Sequence, residues 1–146
     1  METLWLKRVR PGAVLPRRAT PGSAGMDVCA CIEEPVTLQP GERTMIPCGF
    51  SAAIPVGWAG FLFARSGLGV RRGITLSNGV GVIDSDYRGE ICAGLINQSR
   101  ESYTIAPGER IAQLVLLPVW MGTVAETDEL EDTLRGEGGF GSTGER

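Results

Sequence analysis

The stretch PGERTMIPCGFSAAI, residues 40–54, decides the fold class because it joins a turn signal to a short apolar run. Pro-Gly is a strong turn signal, and the same dipeptide recurs at residues 11–12, 21–22 and 107–108. The tetrapeptide PGER recurs at residues 107–110, again just before an apolar run, which indicates one local turn structure used twice. Short apolar runs between regular turns predict an all-β sandwich, barrel or jelly roll.

The rest of the chain follows the same pattern with one exception. Only RSGLGVRRG, residues 65–73, is typical of a helical turn, and its glycines predict a short helix. The segment ETDELED, residues 126–132, is acidic and has few core-forming residues, and a glycine-rich end follows it. We therefore predict one β domain over residues 1–125 and, over residues 126–146, an acidic linker with a flexible glycine-rich C-terminal arm.

Composition excludes several classes of protein. The chain has 146 residues, a net charge of −3 and no histidine. The charge argues against general nucleic-acid binding, and the missing histidine excludes Ser-His-Asp catalysis and histidine-ligated metals. No Walker P-loop and no apolar run of about 18 residues is present. The N-terminus lacks the apolar region of a secretory signal, so we expect a cytoplasmic protein whose four cysteines are free thiols.

The segment NGVGVIDSDYRGEI, residues 78–91, is the first candidate for chemistry. Alternating valines and a polar turn predict a β-hairpin. Glycines weaken a strand unless something must approach its backbone closely, and Tyr87 lies beside Asp84 and Asp86. The alternative is an exposed polar turn without function. In a chain without histidine, a carboxylate of this turn is the best candidate for a general base.

Two weaker candidates lie on either side of this segment in the sequence. ARSGLGV, residues 64–70, has an arginine, a serine and a glycine where the short helix starts, which suits an anion. The alternative is ordinary capping of the helix by Ser66. GERIAQL, residues 108–114, has Gln113 on an apolar strand, where either a ligand or a structural hydrogen bond would satisfy its amide.

Five segments occur in this order along the chain: AGMDVCA (24–30), ARSGLGV (64–70), GVIDSDYRGEI (81–91), GERIAQL (108–114) and RGEGGFGSTG (135–144). Together they resemble the five ordered motifs of the trimeric deoxyuridine triphosphate nucleotidohydrolase (dUTPase) family. The resemblance covers nearly the whole chain, and in and just after the second motif this sequence departs from the family at Gly69 and Arg72.

The resemblance implies a jelly-roll fold and a homotrimer with active sites at the subunit interfaces. The implied reaction is hydrolysis of dUTP to dUMP and pyrophosphate with Mg²⁺, which limits uracil in DNA and supplies dUMP for dTMP synthesis. It implies that Asp84 is the general base for the water that attacks the α-phosphorus. From the net charge and the lack of a long apolar run we expect no stable nucleic-acid partner and no membrane association.

The resemblance also assigns the substrate ligands. It puts the phosphates on one group of residues, uracil between two strands, the ring of Tyr87 under the deoxyribose and the ring of Phe140 on uracil. It implies that the other ligands on the arm bind the β- and γ-phosphates. The implied phosphate ligands are Arg65, Ser66, Gly67 and Gln113, the uracil ligands are Asn78, Gly81, Val82, Ile83 and Cys92, and the remaining arm ligands are Arg135, Gly141, Ser142 and Thr143.

The metal is expected mainly on the oxygens of the triphosphate, because Mg²⁺ keeps several waters and needs few protein ligands. Asp27, in the first motif, is a candidate for holding a metal-bound water. A structural carboxylate near an interface is the alternative.

Two other functions stay open at this point. A dCTP deaminase has a similar trimeric fold, but it requires a catalytic glutamate for which this chain shows no match. A non-catalytic nucleotide-binding β-trimer would use the same pocket, yet a pure binder needs neither Asp84 nor the arm.

Overall fold

The computed structural model describes residues 3–139, and within that range the chain forms eleven β-strands and one α-helix. The helix, α1 (Ser66–Arg72), lies between the sixth and seventh strands. The strands are β1 (Trp5–Arg8), β2 (Met26–Cys29), β3 (Val36–Leu38), β4 (Arg43–Pro47), β5 (Phe50–Ala53), β6 (Trp58–Phe63), β7 (Ile74–Leu76), β8 (Gly81–Ile83), β9 (Cys92–Asn97), β10 (Tyr103–Ile105) and β11 (Arg110–Pro118).

The strands form four antiparallel sheets. The largest has the order β2-β11-β6-β8, a second has the order β4-β9-β7, and two smaller sheets pair β1 with β5 and β3 with β10. No two strands that are consecutive in the chain pair with each other, so every described connection carries the chain from one sheet to another. Such wrapping between packed sheets is typical of a jelly roll, and the predicted all-β fold is confirmed.

The core lies where the inward faces of these strands meet. In β9 the side chains alternate strictly, with Ala93, Leu95 and Asn97 buried and the residues between them partly exposed. The amide of the fully buried Asn97 is bonded through both its nitrogen and its oxygen, so it is accommodated without an unsatisfied group. The largest fully buried apolar side chains are Phe50, Leu38, Ile46, Ile74, Leu95, Ile105, Ile111, Leu114 and Val28.

Both PGER segments fold into the same turn. In the first, Glu42 N donates to Gln39 O at 3.0 Å, and Gln39 N donates to Glu42 Oε2 at 2.8 Å. In the second, Glu109 N donates to Ala106 O at 3.1 Å, and Ala106 N donates to Glu109 Oε2 at 2.9 Å. The turns lead directly into β4 and β11, so the prediction of one turn used twice is confirmed.

Helix α1 starts without a side-chain cap. Arg65 occupies the N-cap position and makes no capping hydrogen bond, while Ser66 is already the first helical residue and is exposed. Capping by Ser66, the structural alternative for this motif, is therefore wrong. The helix ends at Gly73, whose φ of 69° is left-handed and suits glycine.

The segment 78–91 is not a hairpin, so that prediction is wrong. Strand β8 pairs with β6, whereas β9 pairs with β4 and β7, and the two strands belong to different sheets. The polar turn connects the two sheets instead of joining two paired strands. The physical reason is that β4 and β7 pair with the two edges of β9, so β9 is not left to pair with β8.

Among the described residues, regular structure ends with β11. Residues 119–139 contain no helix or strand and are mostly exposed, while the division at residue 125 stays a prediction. All four cysteines lie in the described part and are free thiols, as predicted. None of the helical structure between residues 3 and 139 has the length and hydropathy that a membrane crossing needs. Phe140, Gly141, Ser142 and Thr143 lie outside the described residues.

Candidate active site

A cleft of about 410 Å³ opens where β8 and β9 separate, and we call it the base cleft. It brings together every described residue that the sequence assigned to uracil, to the sugar or to proton abstraction, whereas Phe140, also assigned to uracil, lies outside the described residues. Four other residues, Met45, Leu62, Glu90 and Ile91, had no such assignment. The complete lining is Met45, Leu62, Asn78, Gly81, Val82, Ile83, Asp84, Tyr87, Glu90, Ile91 and Cys92.

Strand β8 gives the base cleft an unpaired backbone edge. It is the last strand of the four-stranded sheet, and of its two edges only the one facing β6 is paired among the described strands. Gly81 favours that close pairing, since a Cβ there would lie 3.2 Å from the Cβ of Leu62, a tight contact. The close approach predicted from the glycines of this strand is therefore made by β6, and the opposite edge keeps free backbone groups.

The Asp84 carboxylate is exposed at the base cleft. Its backbone oxygen accepts a hydrogen bond from Tyr87 N at 3.2 Å, which closes the turn after β8. No side chain among residues 3–139 forms a hydrogen bond or ion pair with its carboxylate. The group is therefore available to accept a proton from a bound water.

Tyr87 is held across the turn that follows Asp84. Its hydroxyl donates to Glu90 O at 3.0 Å, and its ring covers Gly89 so closely that any Cβ on that glycine would collide with it. The residue is 46% exposed and lines the base cleft. Glycine at position 89 is thus needed for the placement of the tyrosine ring.

Cys92 is the thiol of the base cleft. Burial raises its pKa, and the nearby Glu90 carboxylate raises it further, while Arg10 acts in the opposite direction. At neutral pH the side chain is a protonated thiol, which is a poor nucleophile. Cys92 can therefore line the cleft without adding covalent chemistry.

A second cleft, of about 330 Å³, lies at the start of α1, and we call it the anion cleft. It contains Arg65, Ser66 and Gln113, which the sequence assigned to phosphates, together with Asp27. Gly67, the remaining residue of that assignment, follows Ser66 in the helix and does not line the cleft. The complete lining is Ala19, Ser23, Ala24, Gly25, Asp27, Arg65, Ser66 and Gln113.

Asp27 orients the arginines at this cleft. Its Oδ1 accepts from Arg65 Nε at 2.9 Å, and its Oδ2 accepts from Arg110 Nη1 at 3.1 Å. Its side chain is only 17% exposed. Arg65 also donates from Nη1 to Arg110 O at 3.3 Å, which fixes the plane of its guanidinium. Both carboxylate oxygens are thus engaged, and this arrangement favours the structural alternative for Asp27.

Gln113 is positioned by its backbone surroundings. Its Nε2 donates to Ala64 O at 3.0 Å, and a Cβ on Gly25 would lie 2.5 Å from its Oε1. In the sheet register Gln113 is opposite both Asp27 and Phe63, so the three side chains share one face. Gly25 lies in the AGMDVCA motif but was not recognised as a site residue, because its role depends on a strand that is distant in sequence.

The two clefts have no lining residue in common within one chain. Arg135 is the predicted phosphate ligand of the arm that lies within residues 3–139, and it lines neither cleft. Its Nε donates to Gly138 O at 2.9 Å. Among residues 3–139 no group of three or more cysteine, aspartate or glutamate side chains could hold a metal ion. Residues 3–139 of one chain therefore present two separate clefts and no protein cage for a metal.

The dUTPase family model matches residues 12–144 of the chain. The deoxyuridine 5'-triphosphate nucleotidohydrolase of Desulfitobacterium hafniense (strain DSM 10664 / DCB-2) is 51% identical over 131 residues, covering 89% of this chain and 87% of that protein. The protein of the same description from Syntrophotalea carbinolica is 46% identical over 142 residues, covering 97% of each chain.

Solved structures of similar fold carry the same description. A mutant of the Staphylococcus bacteriophage 80alpha dUTPase with dUpNHpp matches this structure with a TM-score of 0.90 and 30% identity, over 99% of each chain. A mutant of the dUTPase from phage phi11 of S. aureus, described as revealing the coordination of a structural Mg(II) ion, has a TM-score of 0.82 and 25% identity, over 90% of this chain and 100% of that one.

Proposed function

The chain belongs to the dUTPase family and hydrolyses dUTP, and from that premise we propose that Asp84 is the general base of the reaction. The observation that carries the proposal is the base cleft, in which an uncommitted carboxylate lies beside an unpaired strand edge. Asp84 accepts a proton from the water that attacks the α-phosphorus in line. The bond from the α-phosphorus to the bridging oxygen of the β-phosphate breaks, which gives dUMP and pyrophosphate. General-base catalysis of this kind contributes about 10²- to 10⁴-fold to the rate.

Uracil recognition is proposed at the free edge of β8. Backbone N–H and C=O groups of Gly81 and Ile83, with Asn78 before them, match the donor and acceptor pattern of uracil. The amine of cytosine would face a donor instead. In this proposal Val82 and Cys92 also contact uracil and exclude the 5-methyl group of thymine.

Sugar selection is proposed at Tyr87. Its ring, held across Gly89 by the bond from its hydroxyl to Glu90 O, provides a flat surface for the deoxyribose. A 2′-hydroxyl would collide with that surface. An apolar pocket alone rejects an added hydroxyl only about 10²-fold, so a close steric fit is required.

Phosphate binding is proposed at the anion cleft. Arg65 supplies positive charge, the exposed hydroxyl of Ser66 and the backbone N–H of Gly67 supply donors, and Gln113 supplies its amide. Charge-assisted hydrogen bonds of this type are about twice as strong as neutral ones. The ion pair between Arg65 and Asp27 supports the proposal because it presents the guanidinium in one orientation.

We propose that the complete site forms between subunits of a homotrimer. The separation of the two clefts supports this arrangement, since different chains can supply them. The outer face of the largest sheet also needs a partner: Val115, Phe61 and Val82 form one row across it, and Val82 is 62% exposed. The ring of Phe63 stacks beside Phe61, at a centroid separation of 6.2 Å.

The C-terminal arm is proposed to close the site. In this proposal Phe140 stacks on uracil, while Arg135, Gly141, Ser142 and Thr143 bind the β- and γ-phosphates. Inward-facing glycine amides suit phosphate oxygens, and closure excludes water other than the nucleophile. The exposed residues 126–139 act as the linker that carries the arm across.

A divalent metal cofactor agrees with membership of the family, and we propose Mg²⁺ on the triphosphate oxygens. The described donor set fits a metal carried by the substrate, because both oxygens of Asp27 already bind arginines and no protein cage exists in residues 3–139. Bound there, the metal neutralises phosphate charge. Asp27 can hold a metal-bound water only in competition with Arg65 and Arg110, so its proposed role is to orient those arginines.

The test is release of pyrophosphate from dUTP, UTP, dTTP and dCTP, with ammonia release from dCTP measured in parallel. We expect efficient release of pyrophosphate from dUTP alone. Ammonia from dCTP would identify a deaminase, and nucleotide binding without any turnover would identify a non-catalytic binder. Either result would overturn the proposed function.

A further inference from the structure

Glu90 is the charged residue of the base cleft that the proposed reaction leaves without a role. Its Oε1 accepts from Arg10 Nε at 2.6 Å and from Gly49 N at 3.0 Å. The side chain of Glu90 is 20% exposed and that of Arg10 is 50% exposed. Both partners are distant in sequence, so this one carboxylate joins three separate segments of the chain.

The two partners of Glu90 are themselves held in place. Gly49 has a left-handed φ of 76°, and a Cβ there would lie 2.7 Å from the Cβ of Ala13. The backbone oxygen of Gly49 accepts from Val9 N at 2.9 Å, so this residue uses its N–H for Glu90 and its C=O for the N-terminal segment. Arg10 follows in that segment, directly before the first Pro-Gly turn. Glu90 therefore binds two groups of the chain whose backbone is held by packing at Gly49 and by the bond from Val9 N.

The same residue holds the tyrosine of the cleft. The backbone oxygen of Glu90 accepts the hydrogen bond from the Tyr87 hydroxyl at 3.0 Å. The main chain at Glu90 is further fixed by its neighbour Ile91, whose N donates to Phe50 O at 2.8 Å. Any shift of Glu90 must move the point to which the tyrosine hydroxyl is bonded.

We propose that Glu90 is a positioning residue for sugar selection, which holds the loop 84–91 against Arg10 and Gly49 so that the ring of Tyr87 excludes a 2′-hydroxyl. The inference rests on the proposed role of Tyr87. It adds the N-terminal segment to the determinants of specificity, although that segment lines no part of the base cleft.

The charge state of Glu90 supports this role. The hydrogen bond from Arg10 is the largest influence that lowers the pKa of its carboxyl, and the bond from Gly49 N lowers it further. The carboxylate is thus ionised at neutral pH, and its hydrogen bonds are charge-assisted. Such an anchor is stronger than a neutral contact, whereas the exposure of Arg10 keeps the ion pair sensitive to salt.

The experiment compares variants on both sides of the anchor. Glu90→Ala removes the carboxylate, Arg10→Met removes the guanidinium from a half-exposed position with little risk to folding, and Glu90→Gln retains an acceptor for Gly49 N. Glu42→Ala is the matched control, since it removes another carboxylate that accepts a backbone N–H, in a turn that does not line the cleft. For each variant we measure kcat and KM on dUTP and on UTP, together with the melting temperature.

We expect the ratio of kcat/KM on UTP to that on dUTP to rise by about 3- to 10-fold in Glu90→Ala and Arg10→Met, the lower part of the range measured for groups in one hydrogen-bond network. The rise should come mainly from KM, because Asp84 is intact. Glu90→Gln should raise the ratio less than Glu90→Ala, because its amide oxygen still accepts from Gly49 N but carries no charge, and Glu42→Ala should lower only the melting temperature. An unchanged ratio in both Glu90→Ala and Arg10→Met overturns the inference, whatever their stability.

Tyr87→Ala, measured in the same series, separates this inference from the function on which it rests. If Tyr87→Ala raises the ratio and the anchor variants do not, only the role of Glu90 is wrong. If Tyr87→Ala leaves the ratio unchanged, the roles of Tyr87 and Glu90 fail together, while turnover of dUTP still supports the enzyme. Absence of turnover in the wild-type protein contradicts the proposed function itself.

Discussion

Asp84 is the residue on which the proposed chemistry depends, and its neighbour Asp86 provides an internal comparison. Both carboxylates are exposed on the same turn, but only Asp84 lines the base cleft. Asp84→Asn should keep the fold and the binding of a non-hydrolysable dUTP analogue, since the amide has almost the same shape. It should lower kcat by about 10²- to 10⁴-fold, because the amide cannot accept the proton.

Asp86→Asn makes the same chemical change two residues away and should keep most of the activity. Steady-state release of pyrophosphate measures both variants. Comparable losses in the two would remove the general-base role from Asp84.

The substitution Gly25→Ala tests the anion cleft by adding a single methyl group. A Cβ there would lie 2.5 Å from Gln113 Oε1, so Gly25→Ala should turn the amide away from the site. Loss of a hydrogen bond to a charged group predicts a fall in kcat/KM on dUTP of about 10- to 100-fold. Gly22→Ala is the control, because nothing lies within 4 Å of a Cβ at that position. Similar kinetics for the two variants would show that the position of Gln113 does not matter.

At the scale of elements, the break between β4 and β5 decides which strands pair. These strands lie in one apolar run of the sequence, yet β4 pairs with β9 and β5 pairs with β1. Gly49 lies at the break with a φ of 76°. A left-handed residue at this point turns the chain from one sheet into another, which an extended strand could not do.

Gly49→Ala should therefore destabilise the fold more than an ordinary substitution at a left-handed glycine. Gly41→Ala is the control: its φ of 80° is similar, but nothing lies within 4 Å of an added Cβ, whereas at Gly49 the Cβ would lie 2.6 Å from Cys31 Sγ. Strain at φ should cost each variant about 1 kcal/mol, and overpacking at Gly49 should add about 1–3 kcal/mol. Urea unfolding measures the difference, and equal midpoints would show that the packing around Gly49 can relax.

At the scale of the whole molecule, the proposal divides each active site among chains. The two clefts of one chain share no lining residue, and Arg135 lies at neither of them. Removal of residues 136–146 should leave the melting temperature nearly unchanged, because the described chain has no strand or helix after Pro118. Turnover should collapse, since the arm is proposed to bind the phosphates and close the site.

Two inactive variants should then rescue each other. One is Asp84→Asn with a complete arm, and the other has Asp84 but lacks residues 136–146. If the chains are refolded together in equal amounts and the arm serves another subunit's site, about one half times one half, or a quarter, of wild-type activity should return in random trimers. Mixing without refolding is the control. Background activity in confirmed mixed trimers would show that the arm serves its own subunit.

The sequence by itself determined the features that depend on short stretches of chain. Pro-Gly turns, the helical segment after Arg65 and the alternation of buried residues in β9 follow from local conformational preferences and from the period of a strand. Seven of the eleven residues that line the base cleft could also be named in advance, because they lie within the short segment 78–92. Only the motif resemblance connected them to uracil.

The tertiary structure alone decided the features that depend on partners distant in sequence. The pattern of residues 78–91 is the same for a closed hairpin and for two strands in different sheets, and the pairing of β8 with β6 selects the second. The closeness of Gly25 to Gln113 and the contact of Glu90 with Arg10 likewise join segments that no local pattern connects. The physical reason is that strand pairing and side-chain contacts are chosen by competition among all segments of the folded chain, whereas turns are chosen by their own few residues.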